Sequence, residues 1–219
     1  MIRVSLTLSL LSVSLTAACS ALDTPVAPSA FGEAVPSAAA RPDATPAVAA
    51  WMAPLRQATA QFHDVRKAVA AGYDAPTAAA CVAGPGGAMG VHAVNVGLAG
   101  DQTIDPMAPE VLLYEPKNGG GFQLVGVEYL QVVLLRNKAT GVVAPWFAST
   151  PWPAAEFEQV TTTPSVFGQT FDGPMAGHEP GMPWHYDLHV WAWTPNPDGD
   201  FAQFNPRVSC GSSAGGHAH

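Results

Sequence analysis

The distribution of proline and glycine constrains the fold of this chain more than any other feature. The 219 residues include 21 prolines and 21 glycines, and beyond Pro76 they divide the sequence into short apolar runs. Such runs are typical of strands joined by turns, because both residues interrupt helices and favour tight turns. The pattern predicts strands near residues 110–115, 122–133, 142–147, 157–162 and 185–193.

The segment before Pro76 has a helical pattern instead. Thr45 can cap a helix whose first residue is Pro46, and apolar residues then recur at helical spacing until Gly72. We therefore expect a mainly β (α+β) fold, an antiparallel β-sandwich or barrel with one long N-terminal helix packed on it.

The N-terminus has the order of a bacterial export signal. Arg3 precedes an apolar run that is too short to span a bilayer and that ends in small residues. The composition then predicts an export signal over residues 1–19, a disordered Ala/Pro/Ser tether over 20–44, a single β-rich domain over 45–210 and a flexible tail over 211–219.

Two ways of processing the signal are open. The sequence Leu-Thr-Ala-Ala-Cys at residues 15–19 resembles a lipobox with its leucine one position early, and in that case Cys19 is lipidated and anchors the protein to the cell envelope. Cleavage after Ser20 or Ala21 would instead release a free periplasmic or secreted protein. In either case Cys81 and Cys210 remain, and an oxidising compartment favours a disulfide between them.

The charge of the chain limits its partners. The formal net charge is -8 and no basic cluster is present, so the chain lacks the cations that neutralise phosphates. We expect no nucleic-acid partner, and contact with a membrane only through the lipid anchor.

Residues 184–193 are the stretch most indicative of a binding site. As a strand they place His185, Asp187 and His189 on one face. Elsewhere, His92 follows a glycine-rich turn, and Glu128 lies in an otherwise apolar strand, where an unpaired carboxylate would be costly to bury. These residues predict a divalent transition metal, Zn, Cu, Fe or Ni, held by His92, Glu128, His189 and His185.

The spacing within this stretch limits the ligand set. His185 and His189 are four residues apart, about 13 Å along an extended strand, so unless a bulge near Asp187 draws them together only one of them binds, and we favour His189. Asp187 is predicted to orient an imidazole from outside the ligand shell. Alternatively, His92 hydrogen-bonds only its glycine loop, Glu128 pairs with Arg136 or Arg207, and the other two histidines pack among tryptophans.

The aromatic residues suggest a second kind of site. Trp184, Trp191, Trp193 and Tyr129 surround the histidine-rich strand and are predicted to line a pocket for a small ligand. Packing in the core is the alternative interpretation.

Several sequence blocks carry a resemblance. They are Gly87-Ala88-Met89-Gly90-Val91-His92, Pro109 to Pro116, Gly126-Val127-Glu128-Tyr129, and Leu188 to Trp193 followed by Asn205 to Cys210. They resemble those of a family of uncharacterised exported bacterial proteins, and the likeness extends from the predicted helix to Cys210. The resemblance implies export and no particular reaction.

Together these patterns predict an exported, lipid-anchored domain that binds a transition metal or a small ligand without turnover. A cupin-like metalloenzyme is the first alternative, although the paired HxH motif of cupins is absent from the predicted domain over residues 45–210. A structural or partner-binding envelope protein is the second.

Overall fold

The structure, a computed structural model, describes residues 46–179 and 181–211. The predicted signal with Cys19, the tether and all of the tail except Gly211 lie outside the described residues, so these assignments stay predictions. No helix of the described part is long and apolar enough to cross a membrane.

The N-terminal helical region is interrupted where one long helix was expected. Helix α1 (Pro46–Thr59) is followed by a 3-10 turn (Ala60–His63), and helix α2 (Val65–Ala70) begins after Asp64. Asp64 has an extended backbone (φ -89°, ψ 103°), and its side chain accepts a hydrogen bond from the backbone N–H of Arg66. An aspartate that caps a helix in this way starts a new helix, which explains the break.

The rest of the described chain is mainly β, as expected. The strands are β1 Cys81–Gly84, β2 Gly87–Val94, β3 Val111–Pro116, β4 Phe122–Val132, β5 Leu134–Asn137, β6 Val143–Pro145, β7 Phe157–Gln159, β8 Ser165–Val166, β9 Gln169–Thr170, β10 Asp172–Met175 and β11 His185–Val190. A short helix α3 (Val96–Gly100) follows β2. All five predicted strand regions contain a strand.

One antiparallel sheet dominates the fold. Its six strands have the order β1-β2-β3-β4-β11-β10 and curl into half a barrel. Two small sheets, β6-β5-β7 and β8-β9, accompany it. Strand β4 is 11 residues long and pairs with β3 along its first part and with β11 along its second part.

The helical region packs on one face of this sheet. Tyr114 on β3 donates a hydrogen bond from its hydroxyl to the carbonyl of Phe62 (2.6 Å), and the indole of Trp193 donates to Thr59 Oγ1 (3.1 Å). Leu55 and Phe62 are buried. The opposite face of the sheet is thereby left for the histidines and the carboxylates.

A disulfide joins Cys81 to Cys210, which confirms that prediction. The two residues are 129 positions apart, so the bond links β1 at the edge of the main sheet to the end of the described chain. Ala88 and Asn205 exchange backbone hydrogen bonds of 3.2 and 3.1 Å nearby. The C-terminal segment is thus held against β2 by both a covalent bond and a β-bridge.

We expect the double variant Cys81→Ala/Cys210→Ala to lose about 2 to 5 kcal/mol of unfolding free energy, because the unfolded chain is no longer closed into a loop. Urea unfolding of the variant and of the reduced wild-type protein should give the same loss. A variant as stable as the oxidised wild type would contradict a structural disulfide.

Candidate metal centre

Three strands of the main sheet bring His92, Glu128 and His189 together. Glu128 on β4 lies directly opposite His189 on β11 and opposite Val111 on β3. Val111 in turn pairs with Val94 on β2. His92 is two residues from Val94, and so it points to the same face as the other two side chains.

The distances within this triad suit a shared ion. Glu128 Oε2 lies 3.3 Å from His92 Nε2 and 3.8 Å from His189 Nε2, and one ligand atom from each residue lies within 4.8 Å of the others. Two ligands at about 2.1 Å from a tetrahedral ion are about 3.4 Å apart. Small side-chain rotations therefore suffice to bring all three atoms onto one ion.

Because Glu128 is buried, its carboxylate needs a positively charged partner to be stable in the ionised form. The residue is 2% exposed, and Oε2 accepts no hydrogen bond within the described part of the chain. Burial raises the pKa of Glu128 well above its ordinary value, and the charges of Asp187 and Glu110 raise it further. An ionised carboxylate here needs a cation, and a metal ion held with two imidazoles supplies one.

The alternative pairing of Glu128 with Arg136 does not occur. The guanidinium of Arg136 pairs with Glu158 at 2.7 Å, between β5 and β7 of the small sheet.

One histidine of the triad, His189, does pack near a tryptophan. Trp191 lies 6.5 Å from His189 between ring centroids, with an angle of 27° between the planes.

Gly126 makes room for that tryptophan. A Cβ atom at this position would lie 2.8 Å from the carbonyl oxygen of Val190 and 3.3 Å from Trp191 Cε3. The absence of a side chain thus lets β11 and Trp191 approach β4 closely, two residues before Glu128 on the same face.

The structure does not bring His185 into the triad. The pairing of β11 with β4 runs without a bulge from His185 to Val190, so the strand keeps its extended rise between the two histidines. His185 Nδ1 instead lies 3.0 Å from the carbonyl oxygen of Pro183, and its ring contacts His178 at 5.1 Å between centroids. Asp187 lies between the histidines and acts on Glu128 through its charge, while its role in orienting an imidazole stays a prediction.

The four aromatic residues predicted to line a ligand pocket lie in or against the core. Each uses its polar atom in a hydrogen bond to another part of the chain: Trp184 with Ala148, Trp191 with Ala202, Trp193 with Thr59 and Tyr129 with Pro106. None of the four is among the described residues that line the cavity beside the triad.

A cavity of about 660 Å³ adjoins the triad. His92 and Glu128 line it together with His185 and His178. His178 is not among the residues predicted from the sequence, because it belongs to the irregular segment after β10, where periodicity does not indicate which way a side chain points.

Glu110 is a second buried carboxyl group close to the triad. Its Oε2 accepts a hydrogen bond from the backbone N–H of Leu130 (3.1 Å), on the same strand as Glu128. Burial is the main cause that raises the pKa of Glu110 from 4.5 to about 7. Its negative charge also acts on Glu128.

No family model, curated protein or solved structure matches this chain. The class of protein is therefore defined by the fold and the site alone. It is a β-rich protein whose main sheet carries a buried His/Glu/His triad able to hold a metal ion.

The raised pKa of Glu110 predicts a pH-dependent stability. The unfolded chain releases this proton near pH 4.5 and the folded chain near pH 7. The contribution of Glu110 to the free energy of unfolding is therefore greatest below about pH 4.5 and is lost as the pH rises towards 7. Glu110→Gln removes the ionisation and keeps an acceptor oxygen. At pH 8 we expect the free energy of unfolding of the variant to be higher than that of the wild type by up to about 3 kcal/mol. At pH 4 the difference should be smaller or absent.

Urea unfolding at both pH values measures the effect. Glu115→Gln is the matched control, since that carboxylate lies five positions further along, on β3, and is only half-buried. An equal gain for Glu110→Gln at pH 4 and pH 8 would contradict the assignment.

Proposed function

We propose that the protein binds one divalent transition metal ion through His92, Glu128 and His189. The observation that carries this proposal is a buried carboxylate oxygen flanked by two imidazole nitrogens from different strands. Two nitrogen ligands and one oxygen ligand suit Zn, Fe, Cu or Ni better than Mg or Ca, which prefer oxygen. His185, which the sequence also predicted as a ligand, is not part of the group that could hold this ion.

The ion would keep an open position on the cavity side. Three protein ligands leave at least one position for water or another ligand, and His92 and Glu128 both line the cavity. This arrangement supports a metalloenzyme as the second candidate function. In that case the triad holds the ion, and a substrate in the cavity reaches the open position.

We also propose that the protein is exported and held at the cell envelope by a lipid on Cys19. The disulfide between Cys81 and Cys210 is consistent with an oxidising, extracytoplasmic location. The order of residues at the N-terminus supports the export signal.

Metal binding is tested on untagged protein in which His217 and His219 are replaced by serine, because these two tail imidazoles can bind metal on their own. We expect one equivalent of zinc after dialysis, measured by elemental mass spectrometry. His92→Ala, Glu128→Gln and His189→Ala should each weaken zinc binding by at least about 100-fold, beyond the 10- to 100-fold usual for the loss of an outer-shell partner. Zinc at 100 times its dissociation constant should stabilise the parent by about 2.7 kcal/mol.

His63→Ala is the matched control, because His63 packs against Trp193 on the helix side of the sheet. It should keep the full zinc affinity. A parent protein that binds no zinc, copper, iron or nickel would refute the proposal, as would an equal loss of affinity in the control.

The anchor is tested by Cys19→Ser. Because the thiol of Cys19 is the acceptor that a lipobox requires, the variant should leave the membrane fraction, whereas Ser20→Ala should not. Mass spectrometry that finds an unmodified mature terminus after Ser20 or Ala21 would contradict lipidation.

A further inference from the structure

We propose that the cavity beside the triad binds a neutral, mainly apolar small molecule that donates one hydrogen bond, from a hydroxyl or N–H group, to His185 Nε2. The proposed hydrogen bond is made by His185, which is not one of the three proposed metal ligands, although His92 and Glu128 also line the cavity. This hydrogen bond does not require the metal to be bound.

The residues that line the cavity favour a ligand that is mainly apolar. Its volume of about 660 Å³ falls within the range of about 300 to 1,000 Å³ for small-molecule sites. Most of the lining from the main sheet is apolar, and the loop after β10 adds Met182: the sheet residues are Val82, Met89, Val94, Val111, Leu130 and Val132. The free energy falls when an apolar molecule replaces water on such a surface.

Exposed apolar side chains line the same cavity. Phe147 is 60% exposed and Val96 is 69% exposed, and both are among the lining residues. Large apolar side chains exposed beside a cavity are typical of binding sites, because the ligand covers them. They add exposed apolar surface to the cavity wall.

A buried polar atom outside the metal triad, His185 Nε2, is the acceptor for the hydrogen bond that the ligand makes. His185 is fully buried and lines the cavity. Its Nδ1 lies 3.0 Å from the carbonyl oxygen of Pro183, which can only accept, so Nδ1 carries the proton and Nε2 carries a lone pair. Nε2 accepts no hydrogen bond from the described residues. A buried acceptor of this kind is costly unless a donor meets it.

The imidazole of His185 stays an acceptor at neutral pH. Burial is the main cause that lowers the pKa of His185 to about 4, and the adjacent His178 lowers it further. A ligand carboxylate offers no proton to this nitrogen. The carboxylates of Asp74 and Glu179, both exposed and lining the cavity, also disfavour an anion. The apolar walls make it costly to strip water from a charge of either sign. A hydroxyl or N–H group on a neutral molecule therefore satisfies all of these conditions.

The experiment compares two probes of nearly the same shape, 4-butylphenol and its methyl ether 4-butylanisole, titrated calorimetrically into the full-length protein. Only the phenol can donate a hydrogen bond. We expect the phenol to bind the wild type with one-to-one stoichiometry and about tenfold more tightly than the ether, the effect of one net hydrogen bond. In His185→Phe the two probes should bind with equal affinity.

His63→Phe is the matched control and should keep the tenfold difference. Because His185→Phe alters a fully buried position and can fail to fold, ¹⁵N NMR of the wild type provides a second measurement. The Nε2 resonance of His185 should move when the phenol is added and stay unchanged with the ether.

Equal affinity of the two probes for the wild type would overturn the proposal, and so would the absence of binding by either. A tenfold difference that persists in a folded His185→Phe variant would overturn the role of His185. The same titration on His189→Ala separates this inference from the metal centre. Discrimination between the probes should survive there even though the variant lacks a metal ligand.

Discussion

The pairing register of β4 determines both the core and the candidate metal centre. This strand is buried on both faces and pairs with β3 and β11, so Glu128 stands opposite Val111 and His189. A slip of one residue would turn Glu128 towards the helices and place Tyr129 on the cavity face. The observed register buries Tyr129 among leucine and valine side chains on the helix side of the sheet. The same register therefore buries the carboxylate of Glu128 beside two imidazoles on the opposite face.

Burying that carboxylate has three physical solutions: a proton on Glu128, a positively charged imidazole, or a metal ion. A proton would allow the acid to donate to only one of the two imidazoles. The nearby Asp187 and Glu110 add negative charge to the same region, which increases the demand for a cation. A divalent ion satisfies the carboxylate and both imidazole nitrogens at once, and for this reason we favour it.

Sequence patterns predicted the residues of the triad and the disulfide because these depend on alternation, on a charge within an apolar strand, and on the number of cysteines. They did not predict the break at Asp64, because a local side-chain cap competes there with helical periodicity. Nor did they show that the indole of Trp191 donates to the carbonyl of Ala202, since such partners come from irregular segments. A ligand pocket was predicted around the tryptophans, but the residues that line the observed cavity were not, because many of them also come from irregular segments.

The most direct test of this account is a crystal structure of the zinc-loaded protein with anomalous data collected at the zinc absorption edge. We expect an anomalous peak at about 2.0 to 2.2 Å from an imidazole nitrogen of His92, an imidazole nitrogen of His189 and a carboxylate oxygen of Glu128. An ordered triad without a peak, in protein that carries zinc only elsewhere, would contradict it.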